Sequence, residues 1–262
     1  MPELDFWNES WLWLGGSLLV AVFWANLAWF FRQPRPGTVG EFVARLAVHP
    51  FSPVLLEFFR LLYYLGVPFA ALLWGHDAVV GRVLGLKPLI LPISTANAPN
   101  ADLTANWLAW TRDTGRAAAL GVGVWALLAS SWWVYRRALS AIDPTHAVAG
   151  TDSSAWTLLR EAAYHQVHWA FYRNAPILAA GAYWGAWVGL ALVGLEATLN
   201  PAWRKELSDP RRAPAQLTCG ALAVASSVLY LQIENLWLAL VIHWTVSWSL
   251  AALVRRDVKR ET

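Results

Sequence analysis

Residues 158–174 read LLREAAYHQVHWAFYRN, and they decide how the rest of the chain must be built. The stretch reads as a helix carrying Glu161, His165, His168 and Arg173. The first three stand at i, i+4 and i+7 and so share one face. The runs on either side are too apolar to solvate that face. Ionisable side chains inside an apolar bundle are costly and turn inward, toward each other or a cavity. This helix is therefore expected at the centre of a bundle, with any site lying along it.

The composition agrees. Of 262 residues, 57% are hydrophobic and only 14% charged, against about 25% charged in soluble domains. Apolar runs at 11–31, 51–74, 117–135, 155–172, 176–197, 215–233 and 236–254 approach or exceed the ~20 residues a bilayer crossing needs. The class is an all-α polytopic transmembrane bundle of about seven spans. Many of the 19 tryptophans lie near run ends, where amphipathic rings settle at the water–lipid boundary. The net charge of +3 is spread over connectors, so no nucleic-acid partner is implied; membrane lipid is. Cys219 cannot form an intrachain disulfide. The acidic residues 1–9 do not resemble the basic start of a cleavable signal.

Between the spans, residues 37–50 read as a connector with a surface helix. Residues 1–50 then precede a core at 51–262, the whole expected to be one folded unit. Glu57 and Arg60 form an i, i+3 pair inside the second run. Residues 75–116 are the one long non-spanning segment, expected to be irregular at 94–106 with a short interfacial helix near 103–111. Residues 140–154 read as a polar loop in which Thr151, Asp152, Ser153 or Ser154 caps the next helix. Residues 200–214 form a charged loop. Gly181, Gly185 and Gly189 repeat at i, i+4, i+8 and read as one close-packing groove.

Seven spans put the connectors after the first, third, fifth and seventh on one side. Those connectors hold Arg32, Arg35, Arg45, Arg136, Arg137, Arg204, Lys205, Arg211, Arg212, Arg255, Arg256, Lys259 and Arg260. The other side holds Arg82, Lys87, Arg112, Arg116 and Arg173. The positive-inside rule then places the C-terminus in the cytoplasm and the N-terminus outside.

Several stretches resemble the CAAX-protease and bacteriocin-processing (CPBP) family of intramembrane peptidases. Residues 168–174, HWAFYRN, have the frame of its first motif, two glutamates followed by two apolar residues, an aromatic, Arg and usually Gly. Tyr172 and Arg173 match, while His168 and Trp169 stand at the glutamate positions. Trp184-Gly185-Ala186-Trp187-Val188 echoes the aromatic-Gly-x-x-His motif with Val188 in place of the histidine. Residues 234–243, ENLWLALVIH, resemble the last motif and end on His243, with Ser247 where Asn is expected. Residues 60–68 and Leu84-Gly85-Leu86 are similar to early segments of the family. The resemblance covers residues 60–253. It implies the family's fold, a bacterial plasma membrane, and a peptide or prenylated substrate or another membrane protein as partner. In the family, glutamate and histidines activate a water for peptide cleavage, which needs a base within hydrogen-bond reach. Tryptophan and valine cannot serve.

The resemblance therefore implies a pseudoprotease, a membrane accessory, scaffold or binding protein. If cleavage persists, Glu161, His168, Arg173 and His243 are its candidate catalytic residues. Three alternatives stay open. Carboxylate and imidazole side chains from bundle helices can hold a divalent metal, here at His165, His168 and His243. A buried imidazole such as His243 can ligate a tetrapyrrole. The third is a closed hydrogen-bonded network of these histidines and Glu161 with Arg173, Tyr164 or Asn235, needing no cofactor and fixing helix register.

Overall fold

The computed structural model describes residues 3–33, 36–75, 79–87, 103–142 and 154–261, and every regular element among them is helical. In order these are α1 (Glu3–Arg32), α2 (Thr38–Val48), α3 (Ser52–Leu61), a π-helical turn (Leu62–Gly66), α4 (Val67–Trp74), α5 (Leu103–Ile142), α6 (Ala155–Leu199), α7 (Pro201–Leu207), α8 (Ala213–Ile233) and α9 (Leu236–Glu261). Six helical stretches are long and apolar enough to cross a membrane: 9–32, 52–74, 107–141, 155–199, 213–233 and 236–255. Many of their large apolar side chains are exposed, including Phe23, Leu55, Leu127 and Val241. In water such a surface would aggregate. The chain is an integral membrane protein.

Two expectations change. The interfacial helix near 103–111 is the first part of α5, a helix of 40 residues continuous with the third span. The two spans expected at 155–172 and 176–197 are one helical stretch of 45 residues. Straight, it would reach about 68 Å, over twice the ~30 Å of a hydrocarbon core. It is not straight. Gly181 takes φ 76° and ψ 170°, a conformation essentially restricted to glycine. A Cβ on Gly185 would overlap the backbone of Ile177, and one on Gly189 would come 2.6 Å from Arg173 Cγ and 2.8 Å from its Cα. Residues 173 and 189 thus face each other, as do 177 and 185, symmetrically about 181. The chain folds back there as an antiparallel helical hairpin. Pro176, the break suggested by sequence, lies inside the first arm. Of the three glycines read as one groove, Gly181 is the turn; Gly185 and Gly189 let the two arms close.

The chain divides into two compact units, Met1–Val80 with Val167–Leu217, and Gly81–Gln166 with Thr218–Thr262. In the first unit α1 meets the hairpin through Asn26, whose Nδ2 donates to Leu199 O at 3.4 Å. The connector helix α2 is amphipathic and exposed, and its Glu41–Arg45 pair is spaced i, i+4 at 3.7 Å. The span from Ser52 opens on Pro53, which suits a first helical turn, and carries the expected Arg60–Glu57 contact at 3.5 Å. In the second unit α5 packs on α9, with Ala117, Leu229, Ile233 and Ala239 buried together. Ile242 seats against Gly121, where a Cβ would come 2.9 Å from its Cδ1. Ser154 caps α6, its Oγ accepting from Thr157 N at 3.1 Å; Thr151, Asp152, Ser153 and the irregular stretch at 94–102 lie outside the described residues.

Candidate functional site

The first unit buries residues 168–177, HWAFYRNAPI, on every side. A helix buried all round sits at the centre of its bundle. Three of those residues are polar, so each needs a partner. Asn174 accepts from Val80 N at 3.1 Å. Arg173 runs its aliphatic stem past Gly189. His168 faces the returning arm of the hairpin, where its Nε2 lies 2.8 Å from Glu196 Oε2.

Two phenols complete this cluster. The Tyr63 hydroxyl lies 3.2 Å from that of Tyr172, 3.5 Å from His168 Nε2 and 3.5 Å from Glu196 Oε2. Tyr63 and Tyr64 both reach the imidazole, with ring centroids 5.1 and 5.2 Å from it. Neighbouring residues on a regular α-helix point about 100° apart. Here both lie in the π-helical turn Leu62–Gly66, whose extra residue per turn narrows that angular step; such turns recur at functional sites. From α1, Ser17 is buried near both phenols, and its hydroxyl has no hydrogen-bond partner among the described residues. A carboxylate accepts hydrogen bonds, so the 2.8 Å contact assigns the donor role to Nε2. That leaves Nδ1 buried without a bonded partner.

A cavity of about 380 Å³ reaches the cluster, with Tyr63, Tyr64 and Glu196 in its wall. Its other walls come from α1, α3 and the start of α7. In this cluster Glu196 lies one helical turn before the end of α6 at Leu199, and Tyr63 lies at the middle of the 52–74 span.

The second unit holds a separate polar chain. Ser226 Oγ donates to Gln166 Oε1 at 2.7 Å, and Gln166 Nε2 donates to His243 Nδ1 at 3.0 Å. All three side chains are buried. The His165 and His243 rings stack with centroids 5.7 Å apart and planes 12° apart. This chain ties α6, α8 and α9 together, as buried polar networks do when they fix register. Glu161 lies beside Arg160 at 3.3 Å.

The candidate residues are thus held in two groups, His168 and Arg173 in the first unit and Glu161, His165 and His243 in the second. Among the described residues no three His, Cys, Asp or Glu side chains are gathered as a metal set. Trp169 is buried, whereas Trp184 and Val188 are exposed. Asn235 caps α9, its Oδ1 accepting from Trp237 N and Leu238 N at 3.1 and 3.2 Å. Leu236 N donates to Gly85 O at 2.8 Å. Gly85, at φ 79°, sits so close to residues 234–236 that a Cβ would press on their backbone.

Sequence reasoning missed Glu196 and Tyr63. Glu196 is a lone carboxylate four residues before an expected loop, the usual place for a solvated charge. The available signal was Gly181: folding the sequence about it brings 168 level with 194, within one helical turn of 196. Comparison with family models, with curated proteins and with solved structures gives no match.

Proposed function

We propose that the chain crosses the membrane seven times around a CPBP-like core and binds a membrane partner without cleaving it. The two arms of α6 count as separate crossings in this reading. The C-terminus faces the cytoplasm of a bacterial cell, as the basic connectors suggest. The observation that carries the non-catalytic reading is the mutual pairing within the His168–Glu196–Tyr63–Tyr172 cluster. A general base must face a water and a scissile bond. Here the carboxylate is occupied by an imidazole and a phenol, and Trp169 offers no base in its place. The adjoining cavity supports binding.

A second reading follows from the same pair. A carboxylate–imidazole contact of 2.8 Å on a cavity wall is also the equipment of a hydrolase, and Glu196 with His168 would then be the acid–base pair of an intramembrane peptidase. The test is incubation of the purified protein with peptide libraries in detergent, analysed by mass spectrometry. Binding without turnover is the expected result. Cleavage that is lost in Glu196→Gln and His168→Ala would establish the peptidase instead.

A further inference from the structure

We infer that the cavity of the first unit holds an anionic phospholipid, its phosphate headgroup at Arg32 and Arg60 and an acyl chain along the aromatic wall. The inference rests on the binding reading above and names its ligand class.

The cavity's volume of about 380 Å³ falls in the roughly 300–1,000 Å³ range of small-ligand sites. Its lining is divided by chemistry. Phe23, Trp24, Phe59 and Leu62 supply apolar surface and are all exposed on the chain's exterior. On a membrane span that exterior is hydrocarbon, so the cavity opens sideways to acyl chains. Arg32 and Arg60 supply positive charge. Lys205 adds to it from α7, its Nζ 5.5 Å from the ring of Trp29, another wall residue.

The depth is consistent with a headgroup. Arg32 is the last residue of α1, and Asn200 and Ala202 join α6 to α7 where the chain leaves the apolar stretch. Arg32 stands at that level, with Arg60 eight residues into the span that opens at Ser52; guanidinium groups bind phosphates with a two-pronged donor geometry. Glu57 is the neighbour of Arg60 at 3.5 Å, a long and weak contact. Among the described residues of the cavity wall the only carboxylate is Glu196, and His168 and Tyr63 hold it. A free peptide would leave the sideways opening unfilled. A lipid of no net charge would give Arg32 no anionic group to meet.

The test uses the full chain, stripped of lipid in neutral detergent and titrated with phosphatidylglycerol, phosphatidylcholine or inorganic phosphate, with occupancy read by native mass spectrometry. Phosphatidylglycerol is expected to bind at least tenfold more tightly than phosphatidylcholine, at roughly fivefold per basic group. Arg32→Gln with Arg60→Gln should reduce that preference to within about twofold. Arg32→Lys with Arg60→Lys should keep most of it, and Arg211→Gln with Arg212→Gln all of it. Ala28→Leu narrows the cavity with its charge untouched and should weaken both lipids. Equal binding of the two lipids, or a preference that survives the double Gln variant, overturns the proposal. So does displacement of lipid by inorganic phosphate, which would mark a free-anion site. These outcomes leave the absence of peptide turnover unaffected, so the two readings fail separately.

Discussion

At the residue scale, the cluster around His168 sets the energetics. Glu196 alone, one turn from a helix end, would be an ordinary interfacial charge. Paired with an imidazole that is 3% exposed, it becomes half of a buried contact. Removing one member of such a pair costs more than replacing both by apolar groups, because the survivor is left without its partner. His168→Ala is therefore expected to destabilise by about 3 kcal/mol, and His168→Leu with Glu196→Leu by clearly less. Tyr63→Phe and Tyr172→Phe should each cost about 1 kcal/mol. The two hydroxyls face each other, so the double variant should cost less than the sum. Reversible unfolding by SDS in mixed micelles measures all of these.

At the scale of elements, the fold turns on Gly181. Residues 155–199 were legible as apolar and helical, and the polarity of 158–174 correctly indicated a central, buried helix. The place of the break was not legible, because Asn174-Pro176 is the stronger local signal. Proline fits within the first arm of α6, while the sharp reversal needs the backbone freedom of glycine. The π-helical turn was equally hidden, since nothing in LYYLG distinguishes one extra residue in a turn from an ordinary span. Gly181→Ala is expected to cost about 1–3 kcal/mol through backbone strain. Gly185→Ala and Gly189→Ala should cost about as much through overpacking against Ile177 and Arg173. Gly220→Ala meets open space and should stabilise by about 0.5–1 kcal/mol. The same unfolding assay separates these cases, and equal effects at Gly189 and Gly220 would mean the arms are not in contact.

On the scale of the molecule, membrane insertion was legible because an apolar run of span length has little use outside a bilayer. Long-range pairings were not. Leu84-Gly85-Leu86 and the Glu234-Asn235 corner look unrelated in sequence, yet Gly85 O receives the Leu236 amide. Gly85 is needed where the two backbones approach. Conversely, the shared face of Glu161, His165 and His168 suggested one site, and the partners of these residues lie in two groups. A single helix face does not reveal which other helices it meets. Topology provides a further expectation. In a Cys219→Ser background, Ala182→Cys at the hairpin tip and Ser208→Cys after α7 should react with an impermeant maleimide from opposite sides of the membrane.

The reversal at Gly181 is what brings Glu196 to His168, and a distance across it is the most direct test. Spin labels at Val167→Cys and Thr198→Cys, again with Cys219→Ser, can be read by double electron–electron resonance in nanodiscs. A folded-back chain gives a separation under about 25 Å, two adjacent helices plus the label arms. A peak near roughly 46 Å, the length of 31 residues of straight helix, would mean that the hairpin and the cluster it builds do not exist.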